Sequence, residues 1–146
     1  MEPLSTAAIA IGSVVATKAL EKTGEKVGDV LWDKTGKFLV SLKKQSPRTV
    51  VAIEKALEEP IDYGEAVLQV NSAAGVDPNV KLTMQELAAA TETNPPSNLA
   101  EFLGQIKEAV KKSQHPFTPA FSQNIQKAIN AAQTQTIDQR GSTFNV

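Results

Sequence analysis

Residues 3 to 17, PLSTAAIAIGSVVAT, carry no charge. A chain that opens this way must find a place for a helix with no polar face. Ser5 or Thr6 can cap such a helix, and Ile9, Ile11, Val14 and Val15 fall on more than one side of it, with Gly12 and alanines between them. A helix that is apolar all round belongs either in the middle of a bundle or in lipid. At 1.5 Å per residue the uncharged run reaches roughly 22 Å, short of the ~30 Å hydrocarbon core of a bilayer. Glu2 is the only charge ahead of it, where a secretory signal would carry Lys or Arg, so export is not expected. Two placements stay open: a core helix, or a helix that also meets membrane.

The rest of the composition narrows the fold. The 146 residues suffice for one domain with its own core. Aromatic residues are only 5% of the chain, so that core must be aliphatic and alanine-rich, which favours closely packed helices over a sheet sandwich. The expectation is an all-α bundle of about four to six helices over residues 1–132, followed by a polar tail over 133–146. There is no cysteine, which fits a reducing, cytoplasmic setting and removes thiol chemistry and cysteine metal sites. The net charge of −1 argues against nucleic acid as a partner. Residues 1–48 nevertheless hold eight Lys or Arg against five acids, so the apolar opening lies in the basic part of the chain, as a segment approaching anionic lipid would.

Along the chain, the first helix should run on to Thr23-Gly24. The second pattern places Val27, Val30, Leu31, Phe38, Leu39 and Leu42 at helical spacing among charges, with Trp32 read as a residue at the edge of the core. Ser46-Pro47 and Asp77-Pro78 are cap-then-proline starts, and Asp62 and Ser97 are further caps. The inward stripes read as Val50, Ile53 and Leu57; Tyr63, Val67, Val70 and Ala74; and Val80, Met84, Leu87 and Ala88. Next come Leu99, Phe102, Leu103, Ile106 and Val110, then Phe121, Ile125, Ala128, Ile129 and Ala132. From Gln133 the residues become polar, with Ile137, Phe144 and Val146 the main apolar ones, so this tail is expected to be disordered or to form a strand only by pairing. If it self-assembles, those three residues are the candidates.

Catalytic patterns are missing. The one histidine, His115, stands next to Pro116 with no carboxylate close in sequence, and no nucleophile elbow, phosphate-cradling glycine loop or metal-ligand spacing occurs. Glu58, Glu59 and Asp62 flank a proline turn and read as surface and cap residues. No enzyme activity, cofactor or metal is expected.

A helix that opens at the initiator methionine and is uncharged after Glu2, MEPLSTAAIAIG, followed by helical packing and a short polar, β-prone tail, resembles the membrane-targeting helical domains of regulated cell death. These are the HeLo and HeLo-like domains, the four-helix bundle of necroptosis executioners, and the bacterial Bell domains. The segment ATKALEKTGEKVG, residues 16–28, is also similar to openings of proteins from filamentous cyanobacteria. The resemblance implies a bacterial membrane effector activated by oligomerisation, with the first helix as its membrane-active part and the tail as a self-assembly motif. Leu4, Ile9, Ile11, Val14 and Val15 would then meet anionic lipid on the inner face of the plasma membrane, after resting against residues such as Phe102 and Ile106. The other reading is a non-enzymatic interaction or adaptor domain, recruiting a signalling protein partner, in which the same residues are ordinary core.

Overall fold

The computed structural model describes residues 3–112, 117 and 119–144, with side chains described as far as residue 133. Within these residues the protein is all-α, with seven helices in the order α1 (Pro3–Lys22), α2 (Asp29–Gln45), α3 (Pro47–Glu54), α4 (Tyr63–Val76), α5 (Pro78–Thr93), α6 (Leu99–Lys112) and α7 (Pro119–Phe144). The number exceeds the expected four to six because the chain breaks around Gly24, so that α1 and α2 are separate helices, and the short α3 stands by itself as well. Pro47 sets off its start, and the chain turns again before Pro60.

The punctuation follows local chemistry. α1 ends at Lys22, and Gly24 takes the left-handed φ of +81° that turns the chain toward α2. The Asp62 side chain accepts a hydrogen bond from the Glu65 N–H (3.1 Å) at the start of α4, and Asp77 accepts from Asn79 N–H (2.9 Å) at the start of α5. Ser46 precedes α3 as expected but does not cap through its side chain. Its hydroxyl lies 2.6 Å from the Thr49 hydroxyl instead, so Pro47 is left to set the helix start.

The core is continuous and aliphatic. The stripes expected on α4, α5 and α6 are buried throughout, as are Val50, Ile53, Phe121, Ile125, Ile129 and Ala132. α2 departs from its expected pattern. Leu31, Phe38 and Leu42 are buried, but Val30 is 64% exposed and Trp32 49% exposed, so Trp32 is a surface residue and not part of the core edge. The buried stripe of α2 is narrow, and Trp32 lies about 100° round the helix from Leu31. In place of the disorder or strand expected from residue 133, the backbone of α7 continues as helix to Phe144. Extending an anchored helix adds one hydrogen bond per residue fixed and needs no new nucleus, so the buried first half of α7 can carry the polar second half.

Candidate functional site

α1 is the axle of the bundle. It packs against each of the other six helices, and Ser5 together with every residue from Ala7 to Thr17 is buried. The side chains expected to meet lipid therefore lie inside: Ile9, Ile11, Val14 and Val15 are at most 1% exposed, and Leu4 is partly buried. The composition of α1 permits this. A helix surrounded by others must present little bulk on most of its faces, and α1 alternates six larger aliphatics with alanine, glycine, serine and threonine. At Gly12 the fit leaves no room, since a Cβ there would lie 2.8 Å from Leu103 Cδ2 and 3.5 Å from Ile106 Cδ1, both on α6. Ile106 was expected beside this helix; Leu103 makes the closer approach.

Three points on α1 are tied to its neighbours by polar contacts. The Ser13 hydroxyl lies 2.7 Å from the Thr91 hydroxyl on α5, and each has its own carbonyl one turn back within reach, Ile9 at 2.7 Å and Leu87 at 2.8 Å. Two hydroxyl protons serve three contacts, so at least one hydroxyl donates across the joint; two oxygens at 2.7 Å with no proton between them would repel. Asn98 Nδ2 donates to the Ala16 carbonyl (3.1 Å), and Asn124 Nδ2 donates to Ser5 Oγ (3.2 Å). α5, the start of α6 and α7 thereby each grip α1 through a polar contact as well as an apolar one. The Thr17 hydroxyl is buried without a partner among the described residues.

No group of three or more His, Cys, Asp or Glu side chains that could hold a metal is found among the described residues. Asp62 is engaged as a helix cap, Glu58 and Glu59 are exposed, and His115 lies outside the described residues. Burial pushes the Tyr63 phenol above its ordinary 10.0. It stays protonated at neutral pH, and because only the unfolded chain ionises readily above 10.0, the group removes stability in the alkaline range alone. The tail candidates lie at the end of the chain: Ile137 and Phe144 are on the helical backbone of α7, while their side chains and all of Val146 are outside the described residues.

The class that fold and site define is an aliphatic helical bundle assembled around its own N-terminal helix. No family model matches the chain, and no curated protein or solved structure matches it significantly. The large apolar side chains exposed by 49–64% on α2 and α5 are Val30 and Trp32, which sequence reading had placed in or beside the core, and Val40 and Leu82, which it passed over. A signal for two of them lay in the sequence: Trp32 and Val40 fall with Gly36 on one side of α2, away from Leu31, Phe38 and Leu42.

Proposed function

We propose that the chain is a non-enzymatic interaction domain in which α1 is structural core and the outer helices present binding surfaces. The observation that carries this reading is the contact of α1 with all six other helices. Nine buried apolar residues come from α1, so its departure would strip the remaining helices of the surface they pack on. A domain of this size holds together by about 5–15 kcal/mol, all of which would be forfeited. The return from lipid is smaller. Leu4, Ile9, Ile11, Val14, Val15 and Leu20 offer about 0.5 kcal/mol each at best on insertion, roughly 3 kcal/mol together, before Lys18, Glu21 and Lys22 are counted against it. A lone copy keeps α1 inside.

The membrane-effector reading implied by the resemblance to HeLo-type and Bell domains has one specific feature in its favour. Among the described residues, α1 alone is long and apolar enough to cross a bilayer by length and composition, and its 20 residues reach about 30 Å. In that reading several copies act together on one anionic membrane, so that avidity supplies what a single helix lacks.

One experiment separates the two. Deleting residues 1–20 would destroy the fold, so α1 is better held in place. Ser13→Cys with Thr91→Cys puts thiols where hydroxyls lie 2.7 Å apart, in a protein that has no other cysteine. Hydrogen exchange and dye leakage are then followed with anionic vesicles, for the oxidised and reduced forms. The interaction-domain reading requires the amides of residues 5–20 to be among the slowest, with vesicles changing neither exchange nor leakage. Leakage by the reduced form that the crosslink abolishes would establish the effector.

A further inference from the structure

The outward face of α2 is symmetric about Gly36. Asp29, Trp32, Gly36, Val40 and Lys43 stand at −7, −4, 0, +4 and +7 from it, a 3-4-4-3 spacing that keeps all five on one side of the helix. All five are exposed, and a Cβ built on Gly36 meets nothing within 4 Å, so the centre of this face is bare. On its α5 side runs a shallow groove of about 530 Å³ lined by Trp32, Val40 and Leu82 among others. Trp32, Val40 and Leu82 are 49%, 63% and 56% exposed, a concentration of large apolar side chains in water that the monomer does nothing to cover.

We infer that this face binds a second copy of the chain, α2 against α2 in antiparallel orientation about a two-fold axis through Gly36. The order of residues selects the occupant. In that arrangement residue 36+n meets residue 36−n, so each Trp32 lies against the other copy's Val40 and reaches the groove beside Leu82. At both ends Asp29 faces Lys43, with Lys44 next to it, and the two helix dipoles oppose. None of Asp29, Lys43 and Lys44 makes an ion pair among the described residues of the monomer, so all are available. Parallel pairing would instead set Asp29 on Asp29 and Lys43 on Lys43. Gly36 at the crossing lets the two backbones approach closely, as small residues do wherever helices cross at short distance. A single pair of helices covers less than the ~1,200 Å² of a standard stable interface, so the dimer is a weak, micromolar-to-millimolar one.

The inference rests on the reading of the outer helices as binding surfaces, but pairing through α2 leaves α1 undisturbed. α1 exchange can therefore fail its own test without touching this one. Sedimentation velocity over a concentration series should show a monomer–dimer equilibrium, accompanied by a blue shift of Trp32 fluorescence, the only tryptophan signal in the chain. Asp29→Lys and Lys43→Asp should each weaken the dimer severalfold, and the double variant should regain it. Gly36→Ala should raise the melting temperature of the monomer while weakening the dimer about tenfold, a pair of opposite changes that a folding defect cannot produce. A chain that stays monomeric at about 1 mM, the weak end of the affinity scale, overturns the proposal. So does a dimer that the charge exchange fails to restore, or one indifferent to Gly36→Ala.

Discussion

α1 hides Ser5 and every side chain from Ala7 to Thr17, whereas α2, the next helix in the chain, buries a stripe of Leu31, Thr35, Phe38, Ser41 and Leu42 and leaves Val30, Trp32 and Val40 in water. The two solve different packing problems. A helix enclosed on all sides has to be slender, and α1 meets that with alanine, Gly12 and hydroxyl residues that bond to its neighbours. A helix enclosed on one side is free elsewhere, and α2 uses that freedom for six lysines or aspartates and for an apolar strip around Gly36. The lesson is that absence of charge marks position in the bundle more directly than it marks affinity for lipid.

Truncation should expose the contrast most strongly. Ile11→Ala in α1 removes a side chain that is 0% exposed, from a site enclosed by other helices, and should cost about 2–5 kcal/mol in urea unfolding. Val40→Ala on α2 should stay within about 0.5 kcal/mol of the parent at dilution. Similar losses at both positions would mean that α1 is no more central than α2. Glycine replacement sharpens the point, because one substitution should act with opposite signs. Gly36→Ala adds helix propensity in open space and should stabilise by up to about 1 kcal/mol. Gly12→Ala gains the same propensity but drives a methyl to within 2.8 Å of Cδ2 of Leu103, a fully buried side chain that must shift to admit it. Overpacking of about 1–3 kcal/mol should make that change neutral to destabilising, and a clear rise in melting temperature would show slack around α1.

Amphipathic elements were the legible part of this protein. Leu99, Phe102, Leu103, Ile106 and Val110 declared α6 because one face is wet and the other dry, and Asp62 and Asp77 declared their helix starts because an acid at that place bonds the first free N–H groups. α1 had to be read with two placements open, since a pattern without a polar side specifies burial but not the burying medium. Its neighbours come from helices as much as 119 residues away, as Ser5 and Asn124 show, and no local pattern encodes that. Trp32 was misplaced for a related reason. A lone aromatic residue among charges is equally compatible with either flank of a stripe, and only the position of α5 decides which flank is covered. The polar composition after Gln133 said nothing of the helix that precedes it and carries its backbone onward.

A smaller effect concerns how α1 and α2 are each joined to α5. The Ser13–Thr91 joint is buried, so Thr91→Val should cost about 1–2 kcal/mol by leaving Ser13 short of a partner. Adding Ser13→Ala should then cost less than it does alone, because the pair is removed together. Additive losses in this double-mutant cycle would show that the two hydroxyls satisfy themselves on their own helices and that the joint contributes little.

The smallest effect expected is at the ion pair between α2 and α5. Lys34 Nζ lies 3.2 Å from Glu86 Oε2, with the two side chains 25% and 39% exposed. Water reaches both partners, so the attraction is screened and is offset by the cost of holding two long side chains in one geometry. The coupling between Lys34→Met and Glu86→Gln should come to about 0.2–1 kcal/mol and shrink as salt is raised. The same joint also contains the Ser41–Thr83 hydroxyl contact at 2.7 Å and the buried side chains of Phe38 and Leu87, which salt does not weaken. A coupling above about 2 kcal/mol would be out of range for a solvated pair. It would mean that α2 is held to the bundle by charge, not by its buried stripe, and that its outward face is less free to accept a partner than its exposure implies.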